Sequence, residues 1–417
     1  MESQTVNEHS SNFESGNKGG GKKSIFKYLG PALITSALVL GPGSLTLSST
    51  IGTVFGNQLV WIFVVTIIFM MIYTEMSTRI GIASDVSFIQ VIKQKWGTWG
   101  AVLIGIGAFL VTASFQAGNS IGIGVAASAI VGGTPAFWVI AFTIAGALLL
   151  FSKDFYSVLE KVMLGLVALM LVSFLITVFL AKPSIGSIAG GLVPSIPAGS
   201  LGLIIGYTAT CFSIVGASYQ SYLVQEKGWN KAYAKEGMKE SYLGIFLLGF
   251  ISFLVMIAAA AVLKPAGIEI NSVADMGLAL EPLFGTWATT IFMLGLFGAA
   301  FSSLMGNATI GGAMLSDGVG FGSKLKNKKV KLAIIAVMLF GSIIAIIFGG
   351  APVNLIIFAQ AITIVAVPFI AIALLVVAND KKIMGDLKNT LLKNIIAIAG
   401  LIVLILLAFN NVKNIFL

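Results

Sequence analysis

The side chains able to do chemistry in this 417-residue chain are mostly hydroxyls, carboxamides and carboxylates. The only cysteine is Cys211 and the only histidine is His9, which excludes a disulfide framework or a Cys/His metal site within one chain. Every carboxylate except Glu75 falls in a tail, a loop or a helix end. Glu75 lies one helical turn before Arg79, the only arginine, and reads as half of a structural ion pair. A functional relay is the alternative, because charges inside membrane helices are costly. No nucleophile stands with a base, so a catalytic site is not expected. No repeated selectivity-filter chemistry points to a channel.

What remains is a set of small polar groups inside apolar runs. Residues 29–52, LGPALITSALVLGPGSLTLSSTIG, carry Gly41, Pro42, Gly43 and Ser44 at their middle, with hydroxyls on both sides. Proline removes a backbone donor and clashes with the preceding turn, and glycine adds freedom, so a helix is expected to break near 41–43. Exposed backbone at membrane depth persists only where protein or a water-filled cavity satisfies it, so the break marks a small polar site. A plain structural kink is the competing reading. A second interrupted run, residues 200–224, places Thr208, Thr210, Ser213, Gly216, Ser218 and Gln220 among apolar residues, with a break expected near 210–216.

The elements that position these runs follow from composition. The chain is 57% hydrophobic and 10% charged. Its apolar stretches are the length of membrane spans, giving an all-α integral membrane protein. Spans are expected at 29–54, 59–80, 98–130, 136–151, 157–181, 200–224, 241–263, 286–312, 329–349, 352–378 and 392–410. The 98–130 stretch is too long for one straight crossing and is expected to start outside the bilayer. The 136–151 span is short.

Of the 25 lysines and arginines, only Lys182, Lys264 and Lys413 fall on the outer side of that topology. This is the positive-inside pattern for a multi-pass cell-membrane protein with a cytoplasmic N-terminus and an extracytoplasmic C-terminus. It explains the net charge of +9 without nucleic acid. Residues 1–26 read as a disordered cytoplasmic tail. The spans divide into repeats at 27–182 and 198–378, five helices each, followed by an eleventh at 392–410. Five is odd, so equivalent helices cross in opposite directions. Paired broken helices in corresponding positions then indicate an inverted-repeat secondary transporter with a midplane site.

At several places the chain resembles the Nramp family of proton-coupled divalent-metal transporters. The likeness lies in GPALITSALVLGPGS of the first span, SVADMGLALEPLFG (272–285), GLFGAAFSSLMGNATIGGAMLSDG (295–318) and FAQAITIVAVPFIAIALLVVANDKKIMGD (358–386). It implies a LeuT-like fold and alternating-access transport of a small inorganic ion, a metal cation, with no cofactor; a monomer is the expected state. It also implies a site, and there the chain departs from the family. Gly41 and Ser44 stand where the family has metal-binding Asp and Asn, with Pro42 and Gly43 unchanged. The family's Met-Pro-His segment corresponds to Ser213, Ile214 and Val215 with Gln220 at the later histidine, or to Thr210, Cys211 and Phe212, depending on the anchor chosen. Asn119 stands at an acidic position tied to proton coupling.

The implied substrate-binding set is Gly41, Gly43, Ser44, Asn119, Thr210, Ser213, Gly216 and Gln360. Any metal ligands would come from Gly41, Ser44, Thr210, Cys211 and Ser213. Such a pocket is neutral. It suits a mostly hydrated cation held by carbonyls, hydroxyls and amides, a small neutral solute, or an anion at the positive ends of broken helices. A non-transporting receptor or scaffold is the remaining alternative. The departures lead to the expectation that the chain is not a standard proton-driven Mn2+ or Fe2+ importer.

Overall fold

Where the first apolar run reaches Leu40 and Gly41, helical geometry stops for two residues. A computed structural model describes residues 31–152, 154–270, 275–278, 285–348 and 367–416. In it α1 (Pro31–Val39) ends before this break and α2 (Pro42–Phe55) begins after it. Gly41 is extended, with φ −114° and ψ −179°, and Pro42 takes the first helical position, where its missing N–H costs nothing. The same event recurs between α8 (Leu201–Cys211) and α9 (Ile214–Glu226), with Phe212 and Ser213 outside helical geometry. Both breaks are narrower than the sequence suggested, because each following helix restarts at once on a ready N-terminal residue.

The next helices are α3 (Val60–Ala83), α4 (Phe88–Val131), α5 (Pro135–Leu149), α6 (Phe155–Ala181) and α7 (Ile185–Gly190). After α9 come α10 (Ala234–Val262), α11 (Asp275–Leu278), α12 (Thr286–Gly318), α13 (Lys328–Phe348), α14 (Val367–Ala378), α15 (Lys381–Met384) and α16 (Leu391–Phe416). No strand occurs among the described residues. Eight helical segments among them, counting the stretch that spans the α8–α9 break as one, are long and apolar enough to cross a membrane. The long third span starts at Phe88 and changes direction at Gly97, whose φ of 76° few other residues adopt. The piece before the bend, residues 88–96, lies outside the expected 98–130 span, which is helical without interruption as far as Val131. The 352–378 span is described only from Val367, and Gln360 and the tail at 1–26 lie outside the described residues.

α12 is the central packing element, lying against α4 most extensively and also against α1, α6 and α13. Small residues let these backbones approach, since bilayer helices associate by close packing more than by hydrophobic exclusion. A Cβ at Gly306 of α12 would lie 2.7 Å from the Leu38 Cα of α1, so no larger residue fits there without moving a helix. α2 packs on α10, and α3 packs on α9 and α10. The broken helices are therefore held from every side by continuous ones.

Candidate functional site

The two breaks face one another across a small pocket of about 10 Å³, enough for roughly one water molecule. From α1 and α2 it is lined by Val39, Gly41, Gly43 and Ser44; from the second break by Thr210 and Ser213. α4 contributes Phe115 and Asn119, and α12 contributes Asn307. Six of the eight substrate-binding residues expected from sequence thus converge. The two alternative anchors for the second break both point to it, because Thr210 ends one half-helix and Ser213 caps the next.

Local hydrogen bonds explain the shape. Ser213 Oγ accepts from the Gly216 N–H at 3.2 Å and so starts α9. Gly216 itself does not line the pocket; it gives room to the Val39 side chain. Thr210 Oγ1 donates to the Gly206 carbonyl at 3.0 Å. At the first break, Ser303 Oγ of α12 donates to the Leu38 carbonyl at 3.1 Å, satisfying a group that a broken helix leaves open. Asn119 Nδ2 donates to Gln116 Oε1 at 2.8 Å, and Gln116 Nε2 donates to the Leu304 carbonyl at 3.0 Å. This chain fixes the Asn119 carboxamide against α12.

Cys211 is placed elsewhere. It is fully buried but absent from the pocket lining, with Sγ 3.9 Å from Ser252 Oγ of α10. Gln220 also lies away from the pocket and accepts a hydrogen bond from Thr35 on α1. Asn307 is the polar residue that sequence reasoning missed. The signal was present as a carboxamide in the small-residue run LMGNATIGG, but its direction depends on how α12 turns toward α1.

The pocket is lined by neutral groups, and among the described residues no three His, Cys, Asp or Glu side chains cluster. Its fixed charges are partial ones. The carbonyl ends of α1 and α8 and the N–H ends of α2 and α9 meet there, offering both negative and positive dipole ends. Hydroxyl, carboxamide and carbonyl oxygens in this number suit a hard cation, while the N–H ends suit an anion or a neutral solute.

Full buried charge sits away from this pocket. Glu75 on α3 is wholly buried and accepts from Arg79 Nε at 2.8 Å, Arg79 Nη2 at 2.9 Å and Lys393 Nζ of α16 at 2.6 Å. Arg79 Nη2 also reaches Asn389 Oδ1 at 2.6 Å. The ion pair expected from sequence is present and extended by a lysine from the last helix.

Similarity to known proteins follows this architecture. The divalent metal cation transporter MntH of Deinococcus radiodurans is 24% identical over 413 residues, covering 94% of this chain and 90% of that protein. MntH of Caldanaerobacter subterraneus subsp. tengcongensis is 23% identical, with 90% of each covered. Among solved structures, the Eremococcus coleocola manganese transporter, in complex with an aromatic bis-isothiourea substituted compound, superposes with a TM-score of 0.76 at 20% identity. That match covers 94% of this chain and 88% of that one. MhsT in complex with L-phenylalanine superposes at 0.58 and 14% identity, covering 91% and 98%. The fold is the LeuT-like one that the family resemblance implied. With the family profile described as "Natural resistance-associated macrophage protein-like" matching residues 32–413, the chain belongs to the Nramp family.

Proposed function

We propose that this chain is a secondary active transporter that carries a small inorganic cation by alternating access, with a divalent metal as the class suggested by its relatives' names. The observation that carries this reading is the small polar pocket between two helix breaks. Its volume of about 10 Å³ matches an ion-sized substrate and leaves no room for an organic solute in this conformation. Larger cavities lie toward either end of the bundle. One, of about 1240 Å³, includes Lys324 and Lys326; the other, of about 420 Å³, includes Thr50 and Thr53 of α2. A small pocket at paired helix breaks, with larger cavities toward either end, is an arrangement suited to alternating access.

In this reading the lysine-rich end is cytoplasmic, the C-terminus is extracytoplasmic, and residues 27–182 and 198–378 are the inverted repeats. Gly41, Gly43, Ser44, Asn119, Thr210, Ser213 and Asn307 form the substrate site. With Gly41, Ser44 and Asn119 at the family's acidic and amide positions, the site holds its cation without a carboxylate, and transport does not follow the standard proton-driven route. The neutral lining and the two facing N–H ends favour one second reading, a small neutral or anionic solute.

Uptake of Mn2+ and Mg2+ by proteoliposomes, with internal pH recorded together, separates these readings. Divalent uptake without stoichiometric proton entry is expected. Tight Mn2+ binding with stoichiometric proton uptake would overturn the coupling proposal. Selective uptake of a non-metal solute, abolished by bulky replacement of Gly43 or Ser213, would favour the second reading. No flux of any kind would leave a receptor or scaffold.

A further inference from the structure

Asp317 closes the last turn of α12 and is 1% exposed, deep for a carboxylate at a helix end. Its oxygens accept from Ser87 Oγ at 2.5 Å, Tyr222 Oη at 2.8 Å and Gln90 Nε2 at 2.9 Å. All three donors are neutral, in contrast to the two cations on Glu75. They also come from two different elements. Ser87 and Gln90 begin α4, and Tyr222 lies on α9, the half-helix that starts at the pocket. Tyr222 Oη additionally accepts from the Ile89 N–H at 3.3 Å. One turn on, Gln225 Nε2 donates to the Ser84 and Val86 carbonyls at 2.9 and 3.0 Å, tying α9 to the α3–α4 connection.

These groups border the 1240 Å³ cavity at the lysine-rich end. Tyr219 and Tyr222 stack in its wall, ring centroids 5.3 Å apart. Ser213 at the pocket and Tyr222 are separated by about 13 Å of helix at the usual rise per residue. α9 thus runs from the pocket at Ser213 to the cavity at Tyr219 and Tyr222.

We propose that Asp317 is the latch of the lysine-rich mouth: it fastens α9 and the start of α4 to the end of α12, and transport requires it to release them. Buried hydrogen bonds to a carboxylate are strong and directional, so three of them hold one arrangement firmly. Neutral donors make the hold reversible, because a departing hydroxyl or carboxamide leaves no buried cation behind and can be replaced by water from the cavity. A salt bridge such as that on Glu75 would not part so easily.

The test uses nitroxide labels at Asp85→Cys and Lys326→Cys, in a Cys211→Ser background, with the full chain in lipid nanodiscs. Both label positions are exposed, one on the α3–α4 connection and one after α12. Asp317→Ala is expected to raise the fraction at long label separation about tenfold, the scale for losing charge-assisted hydrogen bonds, and to lower uptake by proteoliposomes several-fold. Should Asp317→Ala fail to fold, Tyr222→Phe combined with Ser87→Ala removes two of the three donors and is expected to shift the distances in the same direction. An unchanged distance distribution with only a lowered melting midpoint would show a purely structural carboxylate and overturn the proposal. The labels report whether or not anything is transported. Opening of the mouth in a protein that takes up no ion would therefore sink the transporter reading and leave the latch standing.

Discussion

The pocket between the breaks and the cluster around Glu75 lie in one helical bundle and solve opposite problems. Around Glu75 the chain buries a full charge and surrounds it with Arg79 and Lys393, so that nothing further is needed. Around Gly41 it buries unpaired backbone and short polar side chains, with no full charge to satisfy. A saturated ion cluster is a fastening, because removing one member leaves a buried charge uncompensated. A neutral ring of oxygens can hold a guest weakly and let it go. The difference teaches that a charge buried together with its counter-ions marks structure here, whereas interruption of helix marks function.

The strongest test of the contrast is Glu75→Ala. It leaves Arg79, only 2% exposed, without its carboxylate, and should destabilise the protein by about 3–5 kcal/mol. Thermal unfolding in detergent, followed by tryptophan fluorescence, would show this. Lys393→Ala should cost much less, since that side chain is 23% exposed and Arg79 remains. Loss of transport with an unchanged unfolding midpoint in Glu75→Ala would make Glu75 a relay and break the comparison.

Gly41→Asp attacks the other side by placing a charge in the neutral ring. The new Cβ would lie 2.8 Å from Ser303 Oγ and 2.9 Å from Asn119 Oδ1, side-chain tips whose present hydrogen bonds would have to shift, so a loss of about 1–3 kcal/mol in stability is expected. Mn2+ affinity by calorimetry should rise about tenfold or more, equivalent to about 1.4 kcal/mol. Unchanged affinity would remove the first break from the cation's path, and weakened transport of the native substrate with no gain in Mn2+ binding would mark an anion carrier.

Asn307→Ala removes one lining carboxamide and should lower uptake about two- to tenfold, the range for one hydrogen-bonding group, while leaving the melting midpoint in place. The smallest effect is expected at the surface pair of Lys95 and Asp380. The hydrogen bond from Lys95, aided by the Lys382 N–H, holds the Asp380 carboxyl below its usual value of 3.8. A carboxyl lowered in the folded state adds stability above pH 3.8 that is lost as pH falls below it. Exposed pairs contribute little, so Asp380→Asn should leave the unfolding midpoint at neutral pH unmoved and alter only its acid limb.

Much of this architecture was legible because membrane burial leaves a coarse signature. Runs of twenty apolar residues, a Gly-Pro-Gly in the first and a crowd of hydroxyls in the sixth gave the spans and both breaks, the observed break residues being Leu40–Gly41 and Phe212–Ser213. Direction around a helix was less legible. Thr210 and Cys211 are adjacent and equally buried in appearance, yet one faces the pocket and the other α10. Asn307 and Ser303 are a turn apart on α12 and serve different ends, one lining the pocket and one capping α1. Asp317 read as an ordinary helix-end acid because its burial comes from α4 and α9, more than 90 residues away in the chain. Such facts belong to packing between distant segments, which a single apolar pattern does not encode.

The position of Cys211 carries one more consequence. As the chain's single thiol, fully covered between α8 and Ser252, it is a built-in clock for the opposite mouth. A small alkylating reagent can reach it only when the cover over this thiol opens. The rate at which the unmodified protein is labelled therefore reports on how readily that cover opens, with no foreign probe attached.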